Sequence, residues 1–301
     1  MKRIAGLTLV EILVAMLLVL AVITGAAAFV TRGRAAHRTG ESLARLEEAL
    51  DVAFTMLADE IRLAGYLGLA APGTAVEGSS PLGATERLDL AVAGGCVQSL
   101  ALDLAAPVSA ADAAYAAASG MPLGCRASPN GRVAGASDTL VIRHAAADPS
   151  PAQAGRLQLE TNLRGARLAA DGTAVLGIDA RRHDLEVSVF YVSGDSTGRR
   201  DWPSLRRKRL VGGTRPAFQD EELVSGITDL QVAVGFDDAA DPDASVDRWV
   251  RAGDPAWAGV PRALRIELEA RSDVPERDQP GLYRHKRTAR VVELRNSGLL
   301  P

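Results

Sequence analysis

From Ile12 to Val30 the chain runs for 19 residues without a charge, and no other feature limits its fold so strongly. At about 1.5 Å of rise per residue the run makes roughly 28 Å of helix, close to the bilayer's hydrocarbon thickness of about 30 Å. Lys2 and Arg3 precede it, and Arg32, Arg34 and Arg38 follow it. This is the pattern of a targeting and membrane segment, and cations on both sides leave its orientation undecided by charge alone. One residue is out of place. Glu11 enters the apolar stretch, where a carboxylate costs several kcal/mol unless it is neutralised or paired, so it requires a partner.

Helical periodicity continues beyond the membrane segment. Leu43, Leu46, Leu50, Phe54, Leu57, Ile61 and Ala64 recur at spacings of three and four, with Glu41, Arg45, Glu47, Glu48, Asp51, Asp59, Glu60 and Arg62 at the remaining angles. That is one apolar face of an amphipathic helix, with a stop signal at Gly65. The expected helix runs from Leu7 to about Gly65, softened at Gly33 or Gly40, with its second half buried against a sheet.

After Gly65 short apolar alternations are separated by Gly, Pro, Asp and Ser, which is strand and turn patterning. Strands are expected at Arg87 to Val92, Thr139 to His144, Arg156 to Asn162, Leu185 to Val192, Ile227 to Phe236, Ala263 to Arg271 and Arg287 to Arg295. Leu264, Ile266, Leu268 and Ala270 alternate with Arg265, Glu267, Glu269 and Arg271, the mark of an antiparallel sheet with one buried face. Val291-Val292 breaks this alternation and predicts a bulge or a strand buried on both faces. Ala106 to Ser119 reads as a short helix or a loop.

Two segments resemble known families. Gly6-Leu7-Thr8-Leu9-Val10-Glu11, behind a short basic leader and ahead of an apolar helix, resembles the class III signal of type IV pilins and type II secretion pseudopilins. The resemblance implies cleavage by a prepilin peptidase after Gly6 and N-methylation of Leu7, where the family's usual residue is phenylalanine. It also implies that Glu11 pairs with the new α-amine between subunits and sets their register. Leu223 to Val232, Val260 to Ile266 and Arg290 to Asn296 resemble the PilW family of minor pilins.

That resemblance implies an α+β, type IV pilin-like fold, a long N-terminal helix packed on an antiparallel β-sheet body. The domains it implies are a leader at 1–6, a transmembrane half-helix at 7–30, an amphipathic half at 31–65 and a periplasmic, mainly β body at 66–301. The implied function is that of a non-enzymatic minor pilin that helps prime pilus assembly, with a place at the tip in view. Its partners would be other minor pilins, the major pilin, the prepilin peptidase, the inner-membrane assembly platform and inner-membrane lipid. Two alternatives stay open. One is a J-type pseudopilin of type II secretion; the other is a membrane-anchored or secreted binding protein, with Ala26-Ala27-Ala28 as an ordinary signal cleavage site.

Several residues outside these segments carry chemistry to be weighed. Cys96 and Cys125 lie in the exported part, where thiols oxidise, and are expected to form a disulfide, with two unpaired buried thiols as the alternative. Asp237, Asp241, Asp243 and Asp247 crowd one loop as calcium ligands would, but Val246 stands where an EF-hand turn needs glycine, so a solvated acidic turn is the simpler reading. Arg206-Arg207-Lys208-Arg209 beside Trp202 could meet nucleic acid, although charges that guard an edge strand explain such a run more often. With 34 Lys and Arg against 37 Asp and Glu, the net charge of −3 argues against DNA as a partner. His37, His144, His183 and His285 are scattered and no catalytic or cofactor motif stands beside them, so neither an enzyme nor a bound cofactor is expected.

Overall fold

The structure, a computed structural model, describes residues 8–79, 88, 91–96, 98–112, 136–172, 177, 179–237, 245–254, 256, 260–275 and 281–296, with only the backbone at residues 35, 98 and 99. Helix α1 spans Leu9–Leu63. Two compact units divide within it, Met1–Arg45 and Leu46–Pro301. In the first unit the described residues 8–30 are all exposed. In the second, Leu46, Leu50, Phe54, Leu57, Ile61 and Ala64 are all buried, as the stripe of threes and fours predicts, whereas Leu43, the first residue of that stripe, lies in the first unit and is exposed. The helix stops at Gly65, whose positive φ of 75° suits a residue without Cβ and whose N–H donates to the Arg143 carbonyl at 3.0 Å.

Twelve strands follow, in two sheets. The first holds β1 (Val76–Glu77), β2 (Val108–Ala111), β3 (Thr139–Pro149), β4 (Ala154–Asn162), β5 (Gly165–Asp171), β6 (Arg181–Ser193), β7 (Ser204–Val211) and β8 (Ala217–Ser225). Its order is β1-β5-β4-β6-β3-β2, with β7 also on β6 and β8 on β7. β6 is long enough to carry two strands in succession along one edge, β4 over Arg181 to Asp184 and β7 over Ser188 to Ser193. The second sheet has the order β10-β9-β11-β12, from β9 (Ile227–Asp237), β10 (Arg248–Arg251), β11 (Val260–Pro275) and β12 (Tyr283–Glu293). A five-residue helix, α2 (Gln98–Leu102), lies between β1 and β2.

The sequence explains why the sheets differ. β3 and β6 carry unbroken apolar runs, so alternate residues feed two cores: Leu140, Ile142, Phe190 and Val192 on one side, Val141, Val187, Val189 and Tyr191 on the other. The first core also takes the buried stripe of α1 together with Leu230, Val232, Val234, Leu264, Ile266 and Leu268 of the second sheet. The second core takes α2 and the segment around Leu67, Val76 and Cys96.

This corrects the expected α+β, type IV pilin-like plan of one helix on one antiparallel sheet. The described residues are mostly β, in two large sheets after one long helix, and β1 pairs with β5 in parallel. Alternation was the signal sought in the sequence, and it finds strands with one wet face. Short strands, and a strand whose acids are paired within the sheet, escape it: β1, β2, β5, β8 and β10 are outside the expected strands.

Other expectations change locally. Leu88, Ala91 and Val92 of the expected strand at 87–92 are not in a strand. Within Ala106 to Ser119, Val108–Ala111 is strand β2. Val291-Val292 is neither a bulge nor doubly buried, because the ladder runs regularly from Ala263↔Glu293 to Arg271↔His285 and Val291 simply faces outward.

Candidate functional site

The start of α1 supplies Glu11 with a partner from within the chain. Thr8 is the N-cap, and its hydroxyl accepts the Glu11 N–H at 3.3 Å. In return one Glu11 oxygen, Oε2, accepts the Thr8 N–H at 2.8 Å and its hydroxyl at 2.9 Å. This reciprocal arrangement is a capping box, legible in Thr8-Leu9-Val10-Glu11 as T-x-x-E though not read there. The following apolar stretch keeps its own polar groups satisfied: the Thr24 hydroxyl donates to Leu20 and Ala21 carbonyls at 2.9 and 3.0 Å, and Thr31 to Ala28 at 2.9 Å. α1 is long and apolar enough near its N-terminus to cross a membrane. Gly6 and Leu7 lie outside the described residues.

The second half of α1 is gripped by charge as well as by apolar packing. Glu60 is partly buried against the first sheet, where it accepts from Arg207 Nη1 at 2.8 Å and from His144 Nε2 at 3.2 Å. His144 Nδ1 stands 2.8 Å from the Ala145 carbonyl, so both ring nitrogens face acceptors and both must donate, which only the imidazolium can do. Burial alone would pull the His144 pKa down, but the Glu60 hydrogen bond and charge outweigh it and hold it raised. Burial pushes Glu60 up, and His144 and Arg207 together hold it below the usual carboxylate range. On the second sheet Lys286 pairs with Glu47, and Arg290 pairs with Asp51 and lies 4.6 Å over the Phe54 ring. Three acids and one ring of the helix thus meet bases from both sheets.

The basic run occupies an internal strand, not the expected edge. β7 lies between β6 and β8, and its cations meet a mirrored acidic run. Arg206 bonds Asp220 and Glu222, and Arg207 bonds Glu221 as well as Glu60. Lys208 is buried, and burial lowers its pKa. Reflection of Arg206-Arg207-Lys208 onto Glu222-Glu221-Asp220 about Thr214 was the available signal for this hairpin. Trp202 is buried under Arg199 and Arg271, at 3.8 and 4.7 Å from its ring centre, and offers no open stacking face for a base.

The remaining candidates fall as follows. Asp237 is buried and tied to Arg262 at 2.6 Å, while Asp247 is exposed with its N–H on the Phe236 carbonyl at 2.9 Å. Asp241 and Asp243 lie outside the described residues, among which no group of three metal-ligating side chains gathers. Cys96 is buried and disulfide-bonded, and Cys125, its expected partner, also lies outside the described residues. His37 neighbours Glu41 at 3.8 Å, His183 packs edge-on to Tyr66, and His285 pairs with Glu269 at 2.7 Å. Arg143, unmentioned in the sequence reading, is buried and donates to the carbonyls of Leu100 and Ala106 at 2.8 and 2.7 Å. Burial lowers its pKa to about 10, so it remains a cation that pins the α2 region to β3.

Residues 189–296, less than half of the chain, match the family model PilW, described as Type IV Pilus-assembly protein W. The matched segment contains the end of β6, the β7–β8 hairpin and the whole second sheet. No curated protein and no solved structure matches the chain.

Proposed function

We propose that this protein is a minor pilin of a type IV pilus, a non-enzymatic subunit that helps prime assembly. The observation that carries this reading is the match of residues 189–296 to a type IV pilus-assembly family, which supports a protein related to pilus assembly. The apolar start of α1 is its membrane anchor, cut after Gly6 and methylated at Leu7, with residues 66–301 in the periplasm and Cys96 bridged to Cys125. During assembly the segment from Leu7 to Val30 leaves lipid and packs among other subunits' helices, an exchange between two apolar surroundings. Glu11 sets the axial register by pairing with a neighbouring α-amine, while Thr8 keeps its carboxylate satisfied before assembly. Its partners are the other minor pilins, the major pilin, the prepilin peptidase and the assembly platform.

The test is the intact mass and N-terminal sequence of the protein from membranes and sheared pili, with and without the prepilin peptidase. The expected mature chain begins at methylated Leu7 and carries the two-hydrogen mass deficit of one disulfide. A start after Ala28, or an unprocessed chain indifferent to the peptidase, would overturn the reading. Glu11→Ala should spare membrane insertion and lower recovery in sheared pili several-fold; unchanged recovery would remove the register role.

A further inference from the structure

The outer face of the second sheet is not built like an ordinary solvated face. Such a face carries polar or charged residues on every strand. Here the register aligns Arg251, Ala233, Arg265 and Val291 in one row, and Trp249, Gly235, Ala263 and Glu293 in the next. β9 contributes only Ala233 and Gly235 to these rows, while β11 contributes Arg265 to the first and Ala263 to the second. Trp249 lies over Gly235, where an added Cβ would stand 3.2 Å from indole Cη2, yet 43% of the tryptophan is exposed, as is 57% of Val291. Arg251 and Arg265 are exposed on either side of Ala233, two strand spacings or about 10 Å apart. Neither forms an ion pair among the described residues.

The adjoining rows of the same face show the contrast. Arg287 pairs with Glu267, Glu269 and Asp229, and His285 pairs with Glu269, so that half neutralises itself. The Trp249 half instead offers two exposed apolar side chains and two guanidinium groups that pair with no described carboxylate, beside Gly235 and Ala263, which are themselves buried, Gly235 beneath Val246 and Trp249. Trp and Arg are the residues most enriched among those that dominate protein interfaces, and guanidinium forks bind carboxylates in a fixed geometry. A net charge of −3 disfavours a polyanion such as nucleic acid as the occupant.

We infer that Trp249, Arg251, Arg265 and Val291 form a docking surface for a neighbouring pilus-assembly subunit that presents an apolar side chain flanked by two carboxylates. The carboxylates would stand about 10 Å apart, within side-chain reach of residues i and i+2 on one face of an extended segment, whose Cα atoms are about 7 Å apart. The identity of the partner rests on the proposed function; the surface lies within the segment matched to PilW.

The experiment places photoactivatable p-benzoylphenylalanine at position 291 of the full-length protein, and separately at position 16 in the apolar helix, in cells assembling pili. The expected result is an adduct at position 291 to a pilus subunit, through a peptide with Asp or Glu within three residues of the link. Arg251→Glu with Arg265→Glu should cut its yield at least tenfold while the body melts at an unchanged temperature, and Lys at the partner's carboxylates should restore it. Adducts only with lipid or with a second copy of this chain would overturn the inference, as would a yield indifferent to charge reversal. If position 16 also fails to reach any pilus subunit, the functional reading falls with it.

Discussion

The two ends of α1 are both rich in apolar residues and meet opposite fates. Between Leu9 and Val30 the apolar side chains surround the helix and are exposed throughout. Between Leu46 and Ala64 they form a stripe, every member of which is buried, while the acids between them pair with bases of the two sheets. The difference lies in distribution more than in amount. A helix apolar on all sides suits a surrounding apolar medium, whereas a striped helix needs a protein core on one side and water or ions on the other.

The largest break in this comparison should come from the stripe. Phe54→Ala removes a fully packed ring and its cation–π contact with Arg290, and should destabilise the body by about 4 kcal/mol in chemical unfolding. Glu60→Ala leaves the buried His144 without its carboxylate and Arg207 with Glu221 alone, and should cost about 3 kcal/mol; Glu60→Gln, which keeps the shape, should cost less. A cost for Glu60→Ala below about 0.5 kcal/mol would show the pair to be idle, as exposed pairs often are.

The same pair predicts a dependence on pH. The raised His144 pKa gives stability that is present below its ordinary value of 6.5 and lost as pH rises through the folded value. The lowered Glu60 pKa gives stability present above its ordinary 4.5 and lost as pH falls through the folded value. Unfolding midpoints should therefore show this contribution complete between about pH 4.5 and 6.5 and declining on the alkaline side. His144→Gln should remove the alkaline decline. The smallest effect should come from the other end: Val19→Ala, exposed in the isolated chain, should change body stability by less than about 0.5 kcal/mol. A larger effect would mean that the apolar segment packs on protein.

Features with local causes were legible without a structure. The charge-free run, the striped helix, its stop at Gly65 and the alternation of β11 each follow from spacing along one segment. The capping box of Thr8 and Glu11 is equally local, since T-x-x-E spans a single turn, although the sequence reading of Glu11 does not include it. The hairpin of β7 and β8 was recoverable from its mirrored charges, but the basic run was weighed without the acids that answer it.

What the sequence by itself determined is where the chain is apolar on all sides, where on one, and where it alternates, because each follows from the geometry of a single helix or strand. Only the tertiary structure decided that the β body is two sheets, that His144 and Arg207 converge on Glu60 from 84 and 147 residues away, and that Arg262 claims Asp237. It also decided that Val291 turns outward, opposite Arg265 in the ladder. These are pairings across long separations, fixed by strand register and by the cost of burying a charge alone, and no property of one segment specifies its partner.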